Sequence, residues 1–191
     1  MDSDSIGLIG LTIITLIAGS AYFSASEIAF SSVNKIRIKN KADNGDSQAK
    51  KVIYILDNFE KALVTILIGN NIMNIACASL TAFLVSRLWG INYVAIATIA
   101  MTVLVIFTGE LFPKTLAKAY NTEFTLNTAW LLSLIMRVLT PLSYLFEKIG
   151  VFISSILASK QKPTVTEDEL VDIIKTIEDE GTIDEDQSEL L

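Results

Sequence analysis

Histidine is absent from this 191-residue sequence. With it go the commonest general base and the commonest transition-metal ligand. Cysteine occurs once, as Cys77 inside an apolar run, so no internal disulfide can form and the residue reads as small packing. A basic face is also missing. Fifteen Lys and Arg against 21 Asp and Glu leave a net charge of −6, which excludes a typical nucleic-acid binder. The N-terminus does not read as a cleavable signal. Asp2 and Asp4 stand where a signal carries Lys or Arg, and the apolar run that follows is too long.

What the chain does have is apolar length. Hydrophobic residues make up 51% of it, more than soluble domains of this size usually carry. Three runs reach the length of about 20 residues that a hydrocarbon core requires. They cover about residues 6–30, 62–84 and 93–112. Trp89 and Tyr93 lie in the short turn between the second and third, where a headgroup interface suits them. The loop after the first run carries Lys35, Arg37, Lys39, Lys41, Lys50, Lys51 and Lys61, and Lys114 and Lys118 follow the third run. Both clusters predict a cytoplasmic location, an outside N-terminus and a cytoplasmic C-terminus.

A fourth apolar stretch, about 124–158, has Arg137 and Pro141 near its centre and Lys160 and Lys162 after it. These features predict a bent pair of juxtamembrane helices on the cytoplasmic side rather than a fourth span. From Pro163 the chain turns acidic and amphipathic. Thr166 and Glu169 form a capping-box start and Gly181 a stop, around a stripe of Leu170, Ile173, Ile174 and Ile177. The expected organisation is therefore a membrane domain over 1–160 and an acidic linker helix over 163–191, leading to a cytosolic region beyond. The fold class expected is an all-α membrane protein with three transmembrane helices and a cytoplasmic helical belt.

Polar side chains inside the spans are expensive and mark functional candidates. Ser20, Ser24 and Glu27 share a face of the first, at offsets of four and seven. Asn70 and Asn74 share a face of the second, one turn apart, and Gly69 permits close approach of another backbone. Serines and asparagines at such positions also serve simply to join helices. Glu110 stands in the third span with no Lys or Arg expected at its depth, only Arg87 and Lys114 near the ends. Such a carboxylate protonates or binds a cation. Pro113 cannot bond the carbonyl of Gly109, which predicts a kinked helix with a bare oxygen beside the Glu110 carboxylate. Hydroxyls, amide oxygens, a carbonyl and a carboxylate suit Mg²⁺, Ca²⁺ or Na⁺ rather than Zn²⁺ or Cu⁺. An intramembrane enzyme built on Ser24 is disfavoured, because no His or Lys base is available at its depth.

"SAYFSASEIAF", "GNNIMN" and "GELFPK" resemble the three signature stretches of the DUF21 transmembrane domain of the CorC/CNNM proteins, also called cyclin M or hemolysin-C-like. The resemblance covers roughly residues 5–160, with the motifs in the family's order. It implies a homodimeric plasma-membrane (inner-membrane) domain that exports Mg²⁺ by alternating access, with Na⁺ influx as driving force. It implies that Ser20, Ser24, Gly69, Asn70, Asn74, Gly109 and Glu110 form the ion site and that Pro113 shapes it. Glu27 and Glu123 would draw cations to the inner mouth, and Lys114 is assigned to topology. The resemblance also implies a cytosolic CBS-domain pair after the acidic helix. A membrane Mg²⁺ sensor or scaffold that regulates partners without transport is the alternative.

Overall fold

The computed structural model describes residues 3–158. The acidic segment predicted over 163–191 lies outside the described residues. The chain forms two compact units, Met1–Tyr144 and a second that begins at Leu145. Among the described residues every regular element is helical.

Helix α1 (Ser3–Ser32) is 30 residues long and α4 (Phe59–Leu88) another 30. A 3₁₀ turn (Ile91–Tyr93), α5 (Val94–Val105), a π-helical turn (Ile106–Leu111) and α6 (Phe112–Ala119) follow one another without a break in the third segment. Three stretches are long and apolar enough to cross a membrane: Asp4–Ser32, Phe59–Leu88 and Ile91–Ala119. Each overruns its sequence-derived span at both ends, because helical hydrogen bonding continues past the last apolar residue into polar turns.

Between α1 and α4 lie two short helices, α2 (Lys35–Asp43) and α3 (Ser47–Asp57). Both start on a side-chain cap. The Asn34 Oδ1 accepts from the Arg37 N–H at 3.0 Å, and the Asp46 Oδ1 accepts from Gln48 and Ala49 at 2.8 and 3.1 Å. Gly45 turns the chain between them at φ +95°, a conformation that costs other residues a Cβ clash. An exposed Lys35–Asp57 ion pair at 2.7 Å joins the start of α2 to the end of α3.

Helix α7 (Asn121–Ala158) covers the fourth apolar stretch, which is helical up to Ala158. Pro141 removes a single backbone donor within it.

The principal core lies where α1, α2, α3, α4 and α7 meet. Phe23, Phe30, Ile38, Val52, Ile55, Ile66, Ala129, Leu132 and Met136 are buried together there. Smaller clusters extend it along α1. Ile13 packs with Cys77 and Val105, and Ala25 and Ala29 pack with Ala117. Helix α1 thus touches α4 on one side and the π turn with α6 on the other. Pairs such as Ser20–Asn70 and Phe23–Gly69 show α1 and α4 antiparallel, as a short connection through α2 and α3 requires.

Candidate functional site

Small residues bring the three spans close. Gly69 faces the ring of Phe23, and a Cβ there would lie 2.3 Å from the ring Cζ. A Cβ on Gly109 would lie 3.1 Å from the Ser20 Oγ. These two glycines let α4 and the π turn approach α1 on either side of Ser20.

Ser20 is 1% exposed and Gly109 is buried. The Ser20 hydroxyl donates to the Asn70 Oδ1 at 2.8 Å, and the Gly109 carbonyl oxygen lies 3.5 Å from the same hydroxyl, the long limit of a hydrogen bond. The Ser20 hydroxyl therefore meets one oxygen from each of the other two spans. Asn74, one turn along α4, reaches the Asn70 Oδ1 through its Nδ2 at 3.5 Å.

Two oxygens in this neighbourhood have no hydrogen-bond partner although they are buried, Ser24 Oγ and Asn74 Oδ1. Other hydroxyls in the bundle avoid that state by bonding the carbonyl four residues back. Ser26 does so to Tyr22, Thr65 to Lys61 and Thr81 to Cys77, each at 2.8 Å. Ser24, completely buried, does not. Leaving a buried polar atom unmade costs about 1–3 kcal/mol. A ligand that accepts lone pairs would recover that cost.

The π turn explains how the Gly109 oxygen reaches the cluster. Its last backbone bond runs from the Phe112 N–H back to the Phe107 carbonyl, five residues rather than four. Pro113 then sits in the first turn of α6, where its missing N–H is tolerated. The sequence predicts a kink at the proline; the structure has a widened turn immediately before it. An extra residue per turn redirects the 106–111 carbonyls relative to an ideal helix.

Glu110 corrects the sequence reading more sharply. It is not without a cation. The Lys114 Nζ lies 3.2 Å from the Glu110 Oε1 and 3.1 Å from the Glu27 Oε2. The Lys114 side chain is 28% exposed, Glu27 29% and Glu110 41%. The long lysine stem brings its charge back up the helix by one turn, so a residue placed at the end of the span reaches a group inside it. Spacing offers the signal for half of this triad, since Glu110 and Lys114 stand at i and i+4. Nothing local points to Glu27, which comes from another helix.

The predicted residues thus do not all gather at one place. Ser20, Asn70, Asn74 and Gly109 form an inner oxygen cluster, with Ser24 one turn further along α1. Glu27, Glu110 and Lys114 form an ionic cluster, with Glu27 seven residues, or about 10 Å of helix, beyond Ser20. Gly69 and Pro113 act on the backbone. Glu123 stands apart, exposed in the first turn of α7 and joined to none of these groups. Among the described residues no group of three or more His, Cys, Asp or Glu side chains converges on a metal position. Neutral oxygens dominate the inner cluster.

Comparison with known proteins agrees with this architecture. The family model of the cyclin M transmembrane N-terminal domain matches residues 11–187. A UPF0053 protein of Haemophilus influenzae is 31% identical over 177 residues, covering 91% of this chain and 42% of the relative. The UPF0053 inner membrane protein YfjD of Escherichia coli is 35% identical over 130 residues, 68% of this chain and 30% of the relative. A polyamine export protein of Haemophilus influenzae is 26% identical over 153 residues, 73% of this chain and 35% of the relative. The chain therefore spans less than half the length of these relatives. With the three signature stretches on three successive spans, and the family model matching nearly from end to end, this chain belongs to the cyclin M transmembrane N-terminal domain family, the DUF21 domain of the CorC/CNNM proteins.

Proposed function

We propose that this membrane domain binds Mg²⁺ at the Ser20–Asn70–Gly109 cluster and exports it in exchange for Na⁺ by alternating access. One observation carries the proposal: the Ser20 hydroxyl meets one oxygen from each of the other two spans while two more buried oxygens nearby lack partners. Octahedral Mg²⁺ with ligands at about 2.1 Å sets neighbouring ligand oxygens about 3 Å apart. The 2.8 and 3.5 Å separations around Ser20 bracket that value. Any hard cation of similar size meets the same spacing, so the choice of Mg²⁺ rests on the family.

In this scheme Glu110 supplies charge from the adjoining ionic cluster, and Ser24 and Asn74 extend the oxygen set along α1 and α4. Water completes the shell, since Mg²⁺ dehydrates reluctantly. The proposed orientation puts α2, α3 and their lysines in the cytoplasm, with Glu27 near the inner mouth. Na⁺ would compete for the same oxygens from outside. The proposed assembly is a homodimer in the plasma (inner) membrane, with the exposed apolar side chains of Ile96, Ile99, Val103 and Phe107 available to lipid or to the second copy.

The test is flux. The chain is reconstituted in liposomes holding a Mg²⁺-sensitive dye, and a Na⁺ gradient is imposed. The proposal expects Na⁺-dependent Mg²⁺ movement that Glu110→Gln abolishes. Binding without movement would favour the sensor or scaffold alternative.

A second reading has its own support. The Lys114 ammonium is held by two carboxylates, as an alkylammonium substrate would be, and one relative is named a polyamine export protein. Spermidine replacing Mg²⁺ in the same liposomes separates the two. Spermidine movement without Mg²⁺ movement would select the polyamine.

A further inference from the structure

The ionic cluster holds a positive charge that the chain itself supplies. Lys114 bridges Glu27 at 3.1 Å and Glu110 at 3.2 Å, and the two acids come from different spans. Two carboxylates and one ammonium leave one net negative charge, so the lysine cannot satisfy both acids fully. A divalent ion that draws on Glu110 brings two positive charges to a carboxylate already facing an ammonium. The two cations repel, and one must yield. Lysine is suited to yield: its ammonium is a compact point charge on a flexible stem, without the fixed fork of arginine. It also has somewhere to go, because Glu27 holds it independently of Glu110.

From this we infer that Lys114 is a tethered exchange cation: it occupies Glu110 when the ion is away and withdraws to Glu27 when the ion arrives. The inference rests on the proposed use of Glu110 by the ion and adds the residue that sets how tightly the ion is held. With the lysine returning, Glu110 is never left as an unpaired charge within a span, which would be costly. Release of the ion becomes replacement of one cation by another rather than bare loss of charge. Glu27 is then a parking position that acts through Lys114 and is not itself a ligand of the ion.

The test is a Mg²⁺ titration of the whole chain in detergent micelles, read calorimetrically, for five variants. Lys114→Met removes the competing charge at similar length, and its Mg²⁺ dissociation constant should fall about fivefold or more. Lys114→Arg holds Glu110 with a fixed fork and should raise the constant, giving the opposite sign from the same position. Glu27→Gln leaves the ammonium to Glu110 alone and should also raise it. In the Lys114→Met background, Glu27→Gln should change nothing beyond twofold, because the residue through which it acts is gone. Unchanged or weaker binding in Lys114→Met, or an undiminished Glu27→Gln effect in the double variant, overturns the tether. If Glu110→Gln still abolishes binding in that case, the ion-binding proposal survives its loss. No Mg²⁺ binding by the unmodified chain overturns both.

Discussion

At the scale of single residues, the site is distinguished by what its polar atoms fail to do. Ser24 is wholly buried, yet its hydroxyl takes no local bond, while Ser26 two positions on does. Ser24→Ala should therefore leave the ion-free protein as stable as before or up to about 1 kcal/mol more so. The same change should reduce the upward shift of the melting temperature expected at saturating Mg²⁺. Thermal melts with and without Mg²⁺ check both signs together. The two close glycines respond differently. Gly109→Ala puts a methyl 3.1 Å from the Ser20 Oγ, so it should displace the hydroxyl and weaken Mg²⁺ about tenfold with the fold retained. Gly69→Ala puts one 2.3 Å from the buried Phe23 ring and should destabilise by about 1–3 kcal/mol. Phe23→Leu in that background should restore part of the loss, as denaturation of the single and double variants will read. The candidate serines, asparagines and Glu110 are legible in the sequence because polar groups in apolar runs stand out. The role of Lys114 is not, because a flexible side chain at the end of a span carries its charge away from its own position.

At the scale of elements, the third span decides the site. Its helix is not a simple α-helix bent at a proline; a π turn over Ile106–Leu111 precedes Pro113. Sequence exposes the cause and not the form. Pro113 announces a missing donor, but whether the ladder breaks, kinks or widens depends on how α1 packs against Gly109. Pro113→Ala returns the donor and allows the turn to tighten to α geometry. Mg²⁺ affinity should then fall, but less than in Glu110→Gln, because the carboxylate remains. A calorimetric comparison of the two variants with the unmodified chain tests that ranking, and the reverse order would refute a role for the widened turn. In helix α7, Ala129, Leu132 and Met136 pack into the core and fix the turns that precede Arg137 and Pro141.

At the scale of the whole molecule, α1 is the axis to which the other spans are fitted. One side of it meets α4 and the other meets the π turn and α6, so Ser20 faces both. That arrangement is what sequence periodicity could not give: it places Ser20 and Asn70 on faces of their own helices without saying that the faces meet. Three spans and their order are readable from apolar length and from the family's signature stretches; the convergence required the fold. This convergence, completed by Glu110, is what we propose holds Mg²⁺. A calorimetric Mg²⁺ titration of the purified chain in micelles, beside Glu110→Gln, tests it most directly. Saturable binding is expected for the unmodified chain and its loss in the folded variant. Identical titrations for the two proteins would contradict it.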